Sequence, residues 1–323
     1  MEKMTGNAQE MIRVEGISKT YPTGFWRKRV GILFDLSFTI RRNEIVGFLG
    51  PNGAGKTTTI KILNHLAFPD SGKVSILGED AGAHPEKRRR VGFMPEQPYF
   101  YEYLTGKEFL HLCGRLNGMG KGAIASRSRE MLHRVGLEGA ADRAIRKYSK
   151  GMMQRLGLAQ ALLHDPELVI LDEPMSGLDP MGRMEVRNLI RDLKAAGKTV
   201  FFSSHIISDV EALCDRVILL HKGRKVAEDS VNDLMGKEVR YVELVLSSAP
   251  PREWLDAVGV SPGAILHQGN AFVLRADTIE EANRIAGAAA AAGLRLYSMI
   301  PVKRQLEEIY MEQVGGGGGD ARG

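Results

Sequence analysis

A glycine-rich stretch at residues 50–57, GPNGAGKT, constrains this chain more than any other part of its sequence. It fits the pattern GxxxxGK[ST], follows an apolar segment (44–50) and precedes a helix-like segment (56–65). In that setting, backbone N–H groups and a helix N-terminus converge on an anion. We predict a phosphate-binding loop whose binding residues are Gly50, Pro51, Asn52, Gly53, Ala54, Gly55, Lys56, Thr57 and Thr58. Lys56 is expected to reach the β- and γ-phosphates of a nucleotide, and the Thr57 hydroxyl to bind Mg²⁺.

An apolar segment at 168–171 ends in two acids, Asp172 and Glu173. In open α/β sheets, ligands bind at the carboxyl ends of the strands, so both acids are candidates for nucleotide chemistry. Asp172 is expected to hold Mg²⁺ through its water shell, and Glu173 to polarise the water that attacks the γ-phosphate. His205 follows another apolar segment, TVFFSS, and is a candidate hydrogen-bond donor to the γ-phosphate.

Residues 12 to about 228 alternate between strand-like and helix-like segments, which predicts an α/β domain with a buried, mostly parallel sheet. The predicted strands are 33–40, 44–50, 74–77, 167–172, 199–204 and 215–221, and the predicted helices are 56–65, 106–117, 124–135, 152–164, 183–195 and 207–213. This order is what the phosphate-binding loop requires, because the loop joins a strand to a helix.

The pattern changes near residue 237, where a strand, a helix, two strands, a helix and a strand follow in turn. This order, βαββαβ, predicts a small α+β domain with its own core. A last helix is predicted from Val302 to Val314, and the glycine-rich end has nothing to bury. The predicted organisation is an N-terminal segment (1–11), a nucleotide-binding domain (12–236), an accessory domain (237–314) and a flexible tail (315–323).

The composition is that of a soluble globular protein, with 43% hydrophobic and 26% charged residues. The sequence contains no apolar run of about 20 residues, the length that spans a membrane, and its N-terminus lacks the apolar stretch of a secretory signal. We therefore expect the protein to remain in the cytosol, with Cys113 and Cys214 as reduced thiols. The formal net charge of +5 is compatible with a solvated basic face, with nucleic acid or with an anionic membrane surface.

Further motifs make the sequence resemble the ATP-binding subunit of an ABC transporter over residues 12–235. They are Tyr21, the MPEQ loop (94–97), YSKGMMQR (148–155), LVILDEP (168–174), SGLD (176–179) and His205. The resemblance implies a P-loop NTPase of the ABC ATPase type with a helical subdomain. It also implies that Tyr21 stacks on adenine and that Asp179 bridges two subunits. Ser149 and Gly151 would contact the ATP held by the opposite subunit, in an ATP-dependent head-to-tail dimer.

The sequence departs from the family pattern at two places. Lys150 and Met152 replace the usual Gly and Gln of the LSGGQ signature motif. The small residues on either side of Lys150 are retained, so we expect the motif to work. In the MPEQ loop, spacing from the preceding strand favours Glu96 as the Mg²⁺-sensing residue, whereas spacing to the downstream Leu-Thr pair favours Gln97, which we select.

An aromatic-rich segment (98–105) follows this loop, in the position where the family forms a groove for a helix of the membrane subunit. The rings fit both that groove and core packing beneath the helical subdomain.

The residues of these motifs and the presence of a C-terminal extension most resemble those of ABC-2-type exporter subunits. The resemblance implies ATP and Mg²⁺ as cofactors, a permease on a separate chain and a position at the cytoplasmic face of the cell membrane. No nucleic acid is expected.

A soluble ABC-type ATPase acting on ribosomes or DNA is the alternative, although the chain has one cassette and no room for a long coiled coil between 57 and 148. A small-molecule kinase would explain the phosphate-binding loop but not YSKGM.

Overall fold

The computed structural model of the protein describes residues 10–23, 28–80, 89–235, 239–259, 266–268, 271–303 and 306–315. The chain forms two compact units, one ending at Val231 and the other covering Asn232–Gly316. The boundary predicted near residue 237 and most of the predicted flexible tail lie outside the described residues. So do parts of the basic clusters at 27–29 and 87–90.

A six-stranded sheet forms the centre of the first unit. Its strands are β3 (Ile45–Leu49), β6 (Val91–Met94), β7 (Leu168–Leu171), β8 (Thr199–Ser204), β9 (Arg216–His221) and β10 (Arg224–Ser230), in the order β10-β9-β3-β8-β7-β6. All neighbours run parallel except β9 and β10, which form an antiparallel hairpin. β3, β7 and β8 are buried along their whole length, as strands covered on both faces must be. Their carboxyl ends lie along one edge of the sheet.

A second, antiparallel sheet has the order β2-β1-β4-β5 and consists of β1 (Glu10–Thr23), β2 (Lys28–Arg41), β4 (Ser71–Ile76) and β5 (Glu79–Asp80). The sequence predicted only parts of β2 and β4, and it missed β1, β5, β6 and β10. These strands are short, or carry many polar and exposed residues. In β1, irregular register relative to β2 also interrupts the simple alternation of apolar and polar side chains.

The core of the first unit contains three phenylalanines from three strands, Phe38 of β2, Phe48 of β3 and Phe201 of β8. Their ring centres lie 5.4–5.8 Å apart. Phe48 and Phe201 are completely buried. Such contacts are favourable for aromatic side chains and fix the strands that carry the site.

The helices of the first unit are α1 (Lys56–Leu63), α2 (Gly106–Leu116), α3 (Lys121–Arg134), α4 (Lys150–Leu162), α5 (Pro180–Ala195), α6 (Ile207–Leu213) and α7 (Val231–Met235), which ends beyond the unit boundary. α2, α3 and α4 pack together as the predicted helical subdomain. Hydrogen bonds from N-cap side chains determine where several of these helices begin. At α2, Thr105 and Glu108 form a reciprocal capping box, and α5 begins three residues before the predicted position because Asp179 caps it.

The second unit contains β11 (Val239–Leu246), α8 (Arg252–Val258), β12 (Leu266–Gln268), β13 (Ala271–Ala276), α9 (Ile279–Ala291), β14 (Leu296–Lys303) and α10 (Leu306–Gly315). The sheet is antiparallel with the order β12-β13-β11-β14. Its elements follow the predicted βαββαβ order. Val302 does not begin the last helix, because β14 continues to Lys303, which pairs with Val239. One face of β11 packs against α9 to form a separate core.

Candidate nucleotide site

The phosphate-binding loop joins β3 to α1, as predicted. Gly53 and Gly55 have φ angles of 80° and 106°, which an L side chain rarely adopts. A Cβ on Gly50 would lie 2.4 Å from the carbonyl oxygen of Leu220, so the close approach of the loop to β9 also needs glycine. The Lys56 Nζ is buried and donates to the carbonyl oxygens of Gly50 and Pro51, at 2.7 and 3.3 Å. The backbone of the loop therefore holds the Lys56 side chain in a buried position.

Asp172 lies at the carboxyl end of β7 and is almost completely buried. The Ser203 hydroxyl of β8 donates to its Oδ1 at 2.6 Å, and the Thr57 side chain also hydrogen-bonds to it. Burial raises the pKa of Asp172, and the two hydrogen bonds oppose this shift, whereas nearby Glu96 and Glu173 add to it. Thr57 and Asp172 thus place a hydroxyl and a carboxylate side by side.

Glu173 is held by contacts to its backbone and to its side chain. Its φ of 49° lies in the left-handed region, and its N–H donates to the Ser203 hydroxyl at 2.8 Å. Its Oε2 lies 2.8 Å from His205 Nδ1, and its Oε1 lies 3.3 Å from Lys56 Nζ. Oε1 is buried and makes no hydrogen bond to any described residue. A buried carboxylate oxygen in that condition is an acceptor for a water molecule or a ligand.

A cleft of about 440 Å³ connects Lys56, Thr57, Glu173 and His205. Its lining comprises Ile32, Pro51, Asn52, Gly53, Gly55, Lys56, Thr57, Thr58, Glu96, Glu173, Ser176 and His205. Most of the predicted phosphate-binding residues therefore share one cavity with Glu173 and His205. Gly50 and Ala54 do not line it; Gly50 shapes the loop from behind, and Ala54 belongs to the core.

Three further residues predicted for this site, Tyr21, Gln97 and the buried Asp172, are not among those that line this cleft. Tyr21 is half-buried on β1, with the Lys19 ammonium group 5.3 Å from its ring centre. Gln97 and its neighbour Glu96 are both exposed, but Glu96 lines the cleft and acts electrostatically on Asp172. Of the two alternatives, Glu96 lines the cleft and Gln97, the residue selected from the sequence, does not.

Ser149, Gly151 and Asp179 line a different cleft of the first unit, of about 390 Å³. This second cleft shares no lining residue with the first. Ser149 caps α4 by accepting a hydrogen bond from Met152 N at 3.2 Å, and Asp179 caps α5 by accepting one from Gly182 N at 2.8 Å. The two helix N-termini therefore open into the same cleft.

The two unusual residues of the signature motif have distinct surroundings. Lys150 is exposed, and its side chain lies across Gly177, where a Cβ would be 2.7 Å from Lys150 Cε. Met152 accepts a hydrogen bond from Arg143 through its sulfur at 2.7 Å. The Arg143 guanidinium group in turn lies 5.3 Å from the ring centre of Tyr148. Met152 is thus fixed by its neighbours, whereas Lys150 remains a solvated cation beside the second cleft.

The aromatic segment divides its rings between the core and the surface. Phe100 is buried, and its ring lies edge-on to Phe109 of α2 with centres 5.0 Å apart. Tyr99, Tyr101 and Tyr103 are exposed, with fractional exposures of 94%, 52% and 73%. One ring therefore packs in the core beneath the helical subdomain, and three rings are exposed.

Sequence reasoning missed two residues that organise the site, Ser203 and Gln154. Each is a buried polar residue. Ser203 links the two acids, and Gln154 of α4 donates to the carbonyl oxygens of Glu173 and Pro174. The available signal was a polar residue within an otherwise apolar segment, which requires a buried hydrogen-bond partner.

The residues at the first cleft fit Mg²⁺, because a carboxylate and a hydroxyl are adjacent there and the ion prefers oxygen ligands. Among the described residues, no group of three or more His, Cys, Asp and Glu side chains can hold a metal ion by itself. Mg²⁺ suits such a sparse set, since it keeps several waters and is completed by phosphate oxygens.

The strand–loop–helix with its enclosed lysine, followed by an acidic strand end, defines a P-loop nucleoside triphosphatase, and the separate signature cleft is typical of ATP-binding cassettes. The family model described as ABC transporter matches residues 33–176. An uncharacterized ABC transporter ATP-binding protein of Nostoc sp. is 47% identical over 240 residues, which are 73% of this chain and 71% of that protein.

Nod factor export ATP-binding protein I of Rhizobium sp. is 34% identical over 282 residues, covering 87% of this chain and 91% of the relative. Among solved structures, the dimeric ATP-binding cassette MJ0796, in a post-hydrolysis state with ADP and Pi, is 27% identical with a TM-score of 0.64. The match covers 69% of this chain and 99% of that one. The chain belongs to the ATP-binding subunits of ABC transporters, which bind and hydrolyse ATP. These relatives do not favour the ribosome- or DNA-directed alternative.

Within the described parts of the chain, no helix is both long enough and apolar enough to cross a membrane.

Proposed function

We propose that this chain powers a separate membrane permease, as an exporter ATPase, by closing and reopening a head-to-tail dimer around two ATP molecules. The observation that carries the proposal is the presence of two clefts with no lining residue in common, one at the phosphate-binding loop and one at the signature motif. One ATP contacts both in a head-to-tail pair. The post-hydrolysis dimer of the related cassette MJ0796 supports this arrangement, and the name of the Rhizobium relative supports export.

In the first cleft, the loop N–H groups and Lys56 bind the β- and γ-phosphates of ATP. Lys56 already lies between the loop carbonyls and Glu173, and phosphate oxygens are stronger acceptors for its ammonium group. Thr57, Asp172 and Glu96 are the residues that would hold Mg²⁺ and its water shell. When bound, the ion neutralises charge on the phosphates.

Glu173 acts as the base that orients and polarises the attacking water. Its buried Oε1 is the acceptor for that water, and its Oε2 is occupied by His205 Nδ1. Because the carboxylate accepts, Nδ1 carries the proton in this contact, so Nε2 donates to the γ-phosphate only from a ring protonated on both nitrogens. His205 therefore joins the water-activating group to the phosphate under attack.

The second cleft completes the site of the partner copy. Ser149 and the small Gly151 allow close approach to phosphate, and two helix N-termini favour negative charge there. Asp179 lines this cleft and is the proposed bridge between the subunits. Tyr21 remains the proposed adenine-stacking residue.

The exposed Tyr99, Tyr101 and Tyr103 form the proposed contact with a cytoplasmic helix of the permease. Exposed aromatic side chains are enriched at protein interfaces, and these three lie on a segment anchored by buried Phe100. The chain would thus be held at the cytoplasmic face of the membrane through its partner.

The central test compares ATP hydrolysis and ATP-dependent dimerisation of wild type, Glu173→Gln and Glu167→Gln. Glu167 precedes the same strand at its other end and forms a surface ion pair with Arg90, so it is a matched control. We expect Glu173→Gln to bind ATP and dimerise in light scattering, with turnover reduced at least a hundredfold. Glu167→Gln should keep wild-type turnover. Undiminished hydrolysis by Glu173→Gln would disprove the role of the base.

The dimer and the partner are tested separately. Ser149→Arg should abolish ATP-dependent dimerisation, because a large cation replaces the cap at the second cleft. A Ser149→Arg protein that still dimerises would rule out the head-to-tail arrangement. Purification of the tagged chain from membranes should recover an integral membrane protein, and Tyr99→Ser combined with Tyr103→Ser should reduce that recovery without changing ATPase activity. Recovery with ribosomes instead would contradict the proposal.

A further inference from the structure

Gln154 connects the signature helix to the loop that carries Glu173. It lies on α4, and only 4% of it is exposed. Its Nε2 donates to the carbonyl oxygens of Glu173 and Pro174, both at 3.2 Å. Both partners are acceptors, so the amide must present its NH₂ group to them. A buried amide with both of its donors directed at one short backbone segment fixes that segment to the helix.

The Glu173 carbonyl lies where regular strand pairing has stopped. β7 ends at Leu171, and Glu173 has left-handed backbone geometry. Its carbonyl accepts from Gln154 and also from Ser176 N at 3.0 Å, so both lone pairs are used. Its N–H is bound by Ser203. The unusual conformation of Glu173 is therefore held from both sides, and α4 supplies one of the contacts.

The other end of this connection lies in the second cleft. Gly151 and Gln154 are three residues apart on α4, so they lie on the same face of the helix, one turn from each other. Gly151 lines the second cleft, and Gln154 lies deeper against the Glu173 loop. A shift of the first turn of α4 must therefore move the hydrogen bonds to Glu173.

We propose that Gln154 is a positioning residue that couples the first turn of α4 to the backbone of Glu173 in the same chain. ATP of the partner copy, bound at Ser149 and Gly151, would then favour the hydrolytic position of Glu173 at this chain's own ATP. The two sites of the dimer become cooperative through one side chain in each copy. This inference rests on the proposed roles of Glu173 and the second cleft.

The test uses the full-length chain with Gln154→Glu, which keeps the shape of the side chain but removes both donors. Gln160→Glu makes the same change on the same helix, away from the Glu173 loop, and is the control. We expect kcat of Gln154→Glu to fall roughly ten- to a hundredfold, as displacement of a reacting group does, with KM for ATP changing less than about threefold. The Hill coefficient for ATP should fall to about 1. Gln160→Glu should match wild type.

A second variant, Gln154→Met, avoids burying a carboxylate and gives the same readout if Gln154→Glu does not fold. To distinguish positioning from a merely structural role, each substitution of Gln154 is also combined with Glu173→Gln. ATP-dependent dimerisation of these double variants should survive if Gln154 only positions Glu173. Loss of dimerisation there would overturn the proposal, as would a kcat and Hill coefficient equal to those of Gln160→Glu. Full hydrolysis by Glu173→Gln alone would instead overturn the proposed role of Glu173 as the base. Failure of the Gln154 coupling can therefore be distinguished from failure of the proposed function.

Discussion

Removal of the Ser203 hydroxyl should damage both the stability of the first unit and its catalysis. Ser203 is completely buried; its oxygen accepts from Glu173 N at 2.8 Å and donates to Asp172 Oδ1 at 2.6 Å. Ser203→Ala therefore leaves a buried N–H without its partner and removes one of the hydrogen bonds to a buried carboxylate. An orphaned buried group costs about 1–3 kcal/mol, so we expect a total loss of about 2–3 kcal/mol in the free energy of unfolding.

In a unit of this size, that loss corresponds to a fall of roughly 5–10 °C in the unfolding temperature, measured by scanning calorimetry without nucleotide. We also expect kcat to fall at least about tenfold, since both acids lose a fixed position. Ser204→Ala is the matched control, because the hydrogen bonds of the Ser204 hydroxyl to described residues are with the backbone of Ile206. It should be somewhat less stable than wild type but retain kcat. A Ser203→Ala protein with wild-type unfolding temperature and kcat would refute the reasoning.

Two further predictions concern the loop and the β1 edge. Gly50→Ala should weaken binding of an ATP analogue more than tenfold in titration calorimetry, because the added Cβ clashes with the Leu220 carbonyl oxygen. At Gly53 an added Cβ has no atom within 4 Å, so Gly53→Ala adds only backbone strain of about 1–2 kcal/mol. Equal binding by the two variants would contradict this. Hydrogen bonds from Thr20 and Lys19 lower the pKa of Asp70 to about 2, so its contribution to stability is complete above pH 4 and is lost between about pH 4 and pH 2. Asp70→Asn should show a smaller fall in unfolding temperature from pH 6 to pH 3 than wild type, and an unchanged fall would disprove the contribution.

The parts of the fold that the sequence predicted are those with strong local signals. Buried strands such as β7 and β8 read as continuous apolar runs, and the phosphate-binding loop has a pattern that few other structures use. β1 and β10 gave no such signal, because they are partly exposed and gain stability from pairing, β1 with β2 and β4 and β10 with β9. That pairing is a property of the tertiary structure and not of the local sequence.

The same distinction applies to the candidate site. Lys56, Asp172 and Glu173 follow from motifs whose spacing is fixed by the backbone. The orientation of neighbouring side chains does not follow from spacing, which is why Gln97 was selected although Glu96 is the residue at the cleft. Gln154 was missed for a related reason, since its hydrogen bonds reach a loop that follows a different element of the fold.

The aromatic segment after β6 has a consequence for how such subunits diversify. Phe100 carries the packing against α2, while Tyr99, Tyr101 and Tyr103 contribute little to burial. Substitutions at such exposed positions usually change stability by less than about 0.5 kcal/mol. The three tyrosines of the proposed permease contact can therefore be exchanged over evolutionary time without loss of the folded ATPase. Under that proposal, a duplicated copy of this chain can acquire a new membrane partner while its hydrolytic machinery stays the same.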